Sequence, residues 1–257
     1  MSTCQLVYYR VKYNSASKKD LAFYDAPKGA QVEKMFDSIA GQYDLLNHTL
    51  SFGIDYYWRK KGISALKDVR PEKILDVAAG TGDLALLAYR LLQPEHILCI
   101  DISEKMMQIG RKKIAMTGLS GKIEFEWQDC MQLKSADQTF DAAMTAFGIR
   151  NFENLDKGLQ EILRTLRPGG KLIILELSSP EYFPMKQAYQ LYSRIIIPFI
   201  GRIVSGNKPA YNYLPRSVAA FPQGHRMKSI LEKNGFCNVQ YTKLTFGICT
   251  LYSAYRR

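Results

Sequence analysis

The chain has 257 residues, of which 47% are hydrophobic and 23% are charged, and its formal net charge is +11 at pH 7. This length and composition can bury one large core, so we expect a single α/β domain with an N-terminal extension. The five cysteines are scattered, without the spacing of zinc ligands, which argues against a structural metal and predicts a reducing, cytoplasmic environment. The positive charge comes without a nucleic-acid recognition motif and predicts a solvated surface, with contact to anionic lipid as the alternative.

Residues 1–30 are polar, basic and aperiodic, and they contain no uninterrupted apolar run. Such a segment cannot act as a secretory signal or cross a bilayer, and we predict a flexible extension. The domain is predicted to occupy residues 31–257, with helices at about 32–66 ahead of the first strand. No segment is predicted to span a membrane.

From Lys73 onwards, short apolar runs alternate with amphipathic helices, which is the pattern of βαβ units around a mostly parallel sheet. Strands are predicted in KILDVA, HILCID, KIEFEWQD, TFDAAMTAF and KLIILEL, and helices over 83–92, 103–118 and 154–166. The last helix is expected to stop at the Arg-Pro-Gly-Gly sequence of residues 167–170.

The C-terminal part begins with a predicted helix over 185–204. The runs CNVQYTKL and GICTLYSAYR follow, separated only by a turn at 245–247. Strands joined so closely must pair antiparallel. A mostly parallel sheet closed by such a hairpin resembles the Rossmann-like α/β fold of class I methyltransferases and departs from ordinary dinucleotide-binding folds.

Gly80-Thr81-Gly82 lies between the first strand and its helix, where glycine permits a sharp turn against a nucleoside-like ligand. GTGDLA also fits G-x-G-x-x-[GA], so an NAD(P)-dependent dehydrogenase is the rival hypothesis, and a turn without a ligand is the purely structural one. Asp101 ends the second strand, where a carboxylate accepts ribose hydroxyls in either class. Asp76, inside the end of the first strand, suits a cationic amino group and disfavours a pyrophosphate, which favours S-adenosylmethionine.

Asp129 closes the third strand beside Cys130 and is placed to accept a hydrogen bond from an adenine amino group. Ligands of open α/β sheets bind at such strand ends. DVAAGTGD, the Asp101 strand end, the Gln-Asp pair at 128–129 and LRPGGKLIILE resemble the successive motifs of class I methyltransferases. By position, this resemblance implies Asp76, Gly80 and Thr81 at the methionine end, Asp101 at the ribose, and Asp129 with Cys130 at the adenine. Ala78 stands where many members have glycine, and we expect it only to tighten the turn.

Three segments narrow the resemblance: FDSIAGQYDLLNHTLSFGIDYYWR, TAFGIRNF and LRTLRPGGKLIILELS. They closely resemble the ubiquinone and menaquinone biosynthesis C-methyltransferase family, from about Val32 to the C-terminus. The first segment suits a helical lid that excludes water through Phe36, Ile39, Tyr43 and Trp58, although plain packing on the core is the alternative. The resemblance implies that Tyr43, Asn47 and Arg59 bind substrate.

This chain departs from the family pattern at several positions. Leu46 stands where methionine is usual, and Asp55 stands where histidine is usual, which puts any role of that histidine in doubt. Ala146 replaces a serine that lies near the cofactor in some members, so one hydrogen bond to the cofactor is expected to be missing.

Methylation of a ring carbon requires a reduced quinol whose hydroxyl loses its proton by the transition state. Arg150 and Asn151 follow the fourth predicted strand, at the edge where the cofactor is expected. We predict that Arg150 stabilises the developing phenolate and that Asn151 orients the ring oxygen, with a structural ion pair as the alternative for Arg150. His48 and His225 are the remaining candidates for a base, with structural roles as the alternative.

The resemblance implies methyl transfer from S-adenosylmethionine to demethylmenaquinol, to 2-polyprenyl-6-methoxy-1,4-benzoquinol, or to both. Besides the dehydrogenase, a non-catalytic assembly subunit and an RNA methyltransferase are the alternatives. Residues 185–204 suit the wall of a prenyl channel or a weak peripheral contact with the inner membrane, with core packing as the alternative. A homodimer is expected by analogy, and no nucleic-acid partner is expected.

Overall fold

The computed structural model describes residues 28–196 and 208–257. Its α-helices are α1 (Lys28–Ile39), α2 (Tyr43–Leu50), α3 (Ile54–Ser64), α4 (Asp83–Leu92), α5 (Glu104–Met116), α6 (Leu155–Thr165), α7 (Met185–Leu191), α8 (Lys208–Ala220) and α9 (His225–Lys233). Its strands are β1 (Lys73–Val77), β2 (His96–Asp101), β3 (Ile123–Trp127), β4 (Phe140–Ala146), β5 (Leu166–Leu177), β6 (Phe236–Leu244) and β7 (Cys249–Arg256).

The strands form one seven-stranded sheet in the order β3-β2-β1-β4-β5-β7-β6. The pairs from β3 to β5 are parallel, whereas β7 pairs antiparallel with both β5 and β6. The order of the strands along the chain reverses between β1 and β4. The connections that leave these two strands therefore run to opposite faces of the sheet, which leaves a crevice at its carboxyl edge. The predicted mostly parallel sheet with a C-terminal hairpin is confirmed.

Both faces of the sheet are covered, because successive residues of a strand point to opposite sides. In β5, Leu172 and Ile174 pack into one hydrophobic cluster, whereas Ile173 packs into the cluster on the other face. All three side chains are almost fully buried. This explains why the central strands are continuous apolar runs and could be recognised in the sequence.

Two boundaries differ from prediction. The helix before the segment 167–170 ends at Thr165, as expected, but the strand predicted from Lys171 already begins at Leu166, because the β4–β5 register breaks between Phe140 and Ala142 and takes up the segment as an irregularity. The helix predicted over 185–204 is an α-helix only to Leu191, and a π-helical turn follows over Tyr192–Ile196. The remainder of that prediction, and the extension up to residue 27, lie outside the described residues.

Candidate active site

A sharp turn joins β1 to α4 at the carboxyl edge of the sheet. Gly80 and Gly82 have φ values of +58° and +80°, in the left-handed region that favours glycine. A Cβ atom on Gly82 would lie 2.7 Å from Cζ of Phe125, so the turn also needs a residue without a side chain. Ala78 has a φ of +55°, which costs an alanine about 1–2 kcal/mol, so this departure strains the turn rather than only tightening it.

Asp101 holds this turn from the end of β2. Its Oδ2 accepts a hydrogen bond from the Gly80 amide at 2.8 Å, and its Oδ1 accepts one from the Ser103 amide at 2.8 Å. Burial raises the pKa of the Asp101 carboxyl, and these backbone donors partly oppose the shift. Each oxygen keeps a further lone pair, so the carboxylate can still accept ribose hydroxyls.

A cavity of about 260 Å³ opens beside the turn, and we call it the larger cavity. The predicted cofactor residues that line it are Gly80, Asp101, Asp129, Cys130 and Ala146. Ile102, Met106 and Trp127 also line it and provide an apolar surface suited to a flat ring. Asp129 lies two residues beyond the end of β3 rather than in the strand. Burial raises the pKa of the Cys130 thiol, which is therefore neutral at physiological pH.

Asp76 is buried below the turn, with 1% of its surface exposed, and it is not in the wall of the larger cavity. Neither of its carboxylate oxygens has a hydrogen-bond partner among the described residues. Burial, followed by the charge of Asp101, raises the pKa of Asp76 well above its usual value. A buried carboxylate without a partner is costly, which makes a cationic ligand a suitable partner for it.

Thr81 does not face the larger cavity, although the sequence places it at the methionine end. Its hydroxyl donates to Asp44 Oδ1 at 2.6 Å, and Lys113 Nζ lies 3.1 Å from the same hydroxyl. Lys113 also pairs with Asp44 at 2.5 Å and with Asp83 at 2.7 Å. Thr81 therefore joins α2 to the turn, because two charged neighbours hold its hydroxyl away from the cavity.

Helix α1 lies across the larger cavity and is held at both ends. The Lys28 ammonium donates to the carbonyls of Phe152 and Arg150 at 2.8 and 3.2 Å. Burial lowers the pKa of Lys28. Near the other end of α1, Asp37 Oδ1 accepts from the Ser103 hydroxyl at 2.6 Å. These contacts place helical residues over the cofactor edge, where the sequence predicts a lid.

A second cavity of about 130 Å³, the smaller cavity, lies under α1 and α2. Phe36, Tyr43 and Phe147 line both cavities, so the two spaces adjoin at these side chains. The apolar residues of its wall include Ile39, Leu46, Trp58 and Leu177, and its polar side chains include Asn47, Ser51, Asp55 and Arg150. Burial raises the pKa of the Tyr43 hydroxyl, so this phenol stays protonated.

Arg150 lies in the wall of the smaller cavity, whereas Asn151 lies in that of the larger one. Arg150 Nη1 pairs with Glu176 Oε1 at 2.7 Å, and Nε donates to Ser217 at 3.3 Å. Burial alone would lower the pKa of Arg150, but the charge of Glu176 and its hydrogen bond raise it. Nη2 donates to none of the described residues, which leaves it for a ligand. Asn151 Oδ1 accepts from the Tyr213 hydroxyl at 2.9 Å.

Arg59 lines neither cavity, in contrast to its predicted contact with substrate. Its Nη1 pairs with Asp55 one helical turn away, and its guanidinium lies over the Phe147 ring, 5.5 Å from the centroid. Asp55 draws the arginine away from the cavity, because an ion pair at i and i+4 forms along one helix face.

Three tyrosines of the smaller cavity were not predicted from the sequence. Tyr189, Tyr192 and Tyr213 lie in its wall but come from α7, the turn after it and α8. Tyr189 and Tyr192 fall in the segment 185–204, which the sequence predicts as core or channel wall, whereas no prediction covers Tyr213. Among residues 28–196 and 208–257, no group of three His, Cys, Asp or Glu side chains could hold a metal ion.

Solved structures share this fold at low sequence identity. A SAM-dependent methyltransferase of Thermotoga maritima superposes with a TM-score of 0.61 at 17% identity, covering 88% of this chain and 99% of that one. The [4+2]-cyclase SpnF superposes with a TM-score of 0.55 at 20% identity, covering 90% and 97%. These likenesses support the fold alone, and their different names show that the fold does not fix the reaction.

Sequence relatives are much closer. A Bacteroides fragilis protein named demethylmenaquinone methyltransferase is 56% identical over 230 residues, which cover 90% of this chain and 94% of the relative. A Geotalea daltonii protein named ubiquinone/menaquinone biosynthesis C-methyltransferase UbiE is 41% identical, with 88% and 96% covered. A family model described as the ubiE/COQ5 methyltransferase family matches residues 25–256. The chain belongs to the ubiE/COQ5 methyltransferase family.

Proposed function

We propose that this protein transfers a methyl group from S-adenosylmethionine to a ring carbon of a polyprenylated quinol. The observation that carries the proposal is the pair of cavities that adjoin at Phe36, Tyr43 and Phe147. The larger one has carboxylates at strand ends, and the smaller one is mostly aromatic and aliphatic. A methyl donor and an apolar acceptor held in these two spaces would meet at the shared wall.

The residues around the larger cavity fit S-adenosylmethionine, which when bound supplies an electrophilic methyl group on a sulfonium centre. Asp76 would balance the cationic methionine end, since its buried oxygens have no partner among the described residues. Asp101 would hold the ribose with its remaining lone pairs, and Asp129 would hold the adenine beside Met106 and Trp127. The family assignment gives the rival dehydrogenase hypothesis no support.

The smaller cavity would take the quinol ring. Arg150 Nη2 would stabilise negative charge on the ring oxygen as its proton leaves, and Asn151 would orient that oxygen from the adjoining cavity. Tyr43 and Asn47 line the space in which the ring would lie. Helices α1 and α2 would keep water away from the reacting atoms, which strengthens the interaction of Arg150 with the oxygen.

The relative at 56% identity is named demethylmenaquinone methyltransferase, so demethylmenaquinol is the first acceptor to test. The purified protein is incubated with radiolabelled S-adenosylmethionine and chemically reduced demethylmenaquinol, and in parallel with 2-polyprenyl-6-methoxy-1,4-benzoquinol. We expect label on a ring carbon of at least one quinol and none when the oxidised quinone is supplied. Cofactor binding with no transfer to either quinol would contradict the proposal and favour the non-catalytic assembly subunit.

The role of Arg150 is tested with variants that do not leave its buried partner Glu176 unpaired. Removing one member of a buried ion pair costs about 3–5 kcal/mol of stability, so Arg150→Met is made together with Glu176→Gln and compared with Glu176→Gln alone. We expect the double variant to lose about 100-fold or more in kcat relative to the single one, with unchanged affinity for S-adenosylmethionine. Equal turnover of the two variants would assign Arg150 to the structural ion pair.

No helix in the described part of the chain combines the length and hydropathy needed to cross a bilayer. We propose a peripheral contact with an anionic membrane at the rim of the smaller cavity. Phe52 is 78% exposed and lies 6.4 Å from the ring of Tyr192, which lines that cavity. Leu191 and Ile195, near this tyrosine, are also exposed. A prenyl tail would enter from lipid along this rim. The homodimer and the absence of a nucleic-acid partner stay predictions.

A further inference from the structure

The quinol hydroxyl needs a group that accepts its proton, and the wall of the smaller cavity offers few. Of the described residues in that wall, Asp55 is the one carboxylate, and none is a histidine. Arg150 stays charged, because burial alone would lower its pKa but the charge and hydrogen bond of Glu176 raise it. Tyr43 stays protonated, because burial raises its pKa. The acceptor must therefore be sought at Asp55.

Three neighbours fix the Asp55 carboxylate, which is 2% exposed. The Ser51 hydroxyl donates to Oδ1 at 2.6 Å. His48 Nδ1 lies 2.9 Å from Oδ2, and Arg59 Nη1 pairs with the same oxygen. The two nitrogen partners occupy Oδ2, whereas Oδ1 has only the hydroxyl and keeps a lone pair. Ser51 and Asp55 lie together in the cavity wall, so Oδ1 is the oxygen best placed for a ligand.

We propose that Asp55 accepts the proton of the quinol hydroxyl at Oδ1 and that His48 is its positioning residue. This inference rests on the proposed function. As the ring carbon bonds to the methyl group and the methyl–sulfur bond breaks, the hydroxyl proton moves to Asp55. The ring hydrogen then leaves as a proton to water, and the ring oxygen takes back the proton that Asp55 held. One proton is released in total, and Asp55 is regenerated.

A carboxylate is a weak base beside a phenol, but it is sufficient for this step. When the electrophilic methyl carbon bonds to the ring, the ring hydroxyl becomes strongly acidic. Its proton is therefore lost as that bond forms, and a strong base is not needed. Burial alone would raise the pKa of Asp55, but the Ser51 hydrogen bond and the charge of Arg59 lower it. Asp55 is therefore ionised before the reaction and ready to accept.

His48 lies between charged groups on two elements. Its Nδ1 faces Asp55 of α3, and its Nε2 lies 3.6 Å from Asp83 of α4, with Arg59 next to both carboxylates. Through Nδ1 it holds Oδ2 of Asp55 in place, so that Oδ1 keeps its position in the wall of the smaller cavity. The sequence has Asp55 where histidine is usual in the family, and His48 places an imidazole next to that position.

The test uses the full chain, reduced demethylmenaquinol and labelled S-adenosylmethionine, with kcat and KM measured separately. His48→Ala should lower kcat about tenfold and leave KM for the quinol unchanged, because Asp55 is then held less well in place. His48→Asn, whose side-chain amide can still donate to Asp55, should recover most of the lost turnover. His96→Gln, which removes a histidine that pairs with Glu124 outside both cavity walls, should keep the wild-type kcat.

Asp55 itself is tested by Asp55→Ala made together with Arg59→Met, which removes its buried ion-pair partner, and compared with Arg59→Met alone, with and without added formate. We expect kcat to fall about 100-fold or more, unchanged affinity for S-adenosylmethionine, and recovery of at least tenfold with formate, which a purely structural role would not give. No response to formate, or a His48→Ala kcat equal to that of the wild type, would overturn the inference while leaving the proposed function intact. Failure of the wild type to methylate either quinol would instead remove the proposed function.

Discussion

The buried carboxylate of Asp76 destabilises the free protein, whereas its proposed contact with the cofactor would stabilise the bound one. Its carboxylate is buried with no partner among the described residues, and burial raises its pKa well above the usual value. An aspartate whose folded-state pKa exceeds its unfolded value stabilises the fold most below the unfolded pKa, and this contribution is lost as the pH rises through the folded pKa. At neutral pH the residue therefore destabilises the free protein.

Asp76→Asn should consequently raise the unfolding free energy of the free protein at pH 7, by about 1 kcal/mol, with a smaller gain at pH 4. The same change should weaken S-adenosylmethionine binding by about 10- to 100-fold, since a charge-assisted contact is lost. Denaturant unfolding at the two pH values and calorimetric titration measure these effects. Asp137→Asn, at a side chain that is 69% exposed, is the control. Unchanged affinity would remove Asp76 from the cofactor site.

One polar cluster joins helix α2 to the turn between β1 and α4. Asp44 accepts from Thr81 and pairs with Lys113, whose side chain is 28% exposed. Ion pairs this close to solvent contribute little to global stability and are screened by salt. Loss of these pairs should instead increase how often helix α2 detaches from the turn between β1 and α4.

Asp44→Asn should speed amide hydrogen exchange in residues 43–50 and raise KM for the quinol, while the unfolding free energy changes by less than about 1 kcal/mol. Added salt should produce the same local effect in the wild type. Glu232→Gln, which removes a surface pair with Lys228 on α9, should leave exchange in α2 unchanged. Exchange in α2 that is insensitive to Asp44→Asn would show that hydrophobic packing alone holds the helix.

The sequence predicted the sheet well and the second cavity poorly, for physical reasons. Strands such as His96–Asp101 are buried on both faces, so their apolar runs are visible without any tertiary information. Asp101 was predicted because strand ends meet at one edge. Thr81 and Arg59 line neither cavity, because Asp44 and Asp55 hold them, and spacing in the sequence does not reveal such partners. The tyrosines of α7 and α8 required the packing of helices from distant parts of the chain.

The net charge of +11 and the exposed apolar rim of the smaller cavity should both favour binding of the whole molecule to an anionic membrane. Phe52 has a φ of +51°, which asparagine also tolerates, so Phe52→Asn removes the ring and preserves the turn. We expect the wild type to cosediment with anionic vesicles more than with neutral ones, and Phe52→Asn to bind several-fold less. Met116→Ser, at a side chain that is 88% exposed elsewhere, is the control. Equal loss in both variants, or no binding by the wild type, would contradict the proposed membrane contact.

Phe36 and Tyr43 stand in the walls of both cavities, and they belong to α1 and α2. A movement of these helices that uncovers one ligand would therefore also disturb the contacts of the other. If the two cavities hold the two ligands as proposed, we expect exchange of the spent methyl donor and departure of the methylated quinol to be coupled through one displacement of these helices. Steady-state turnover of such an enzyme reports the frequency of that displacement whenever it is slower than the bond-forming step.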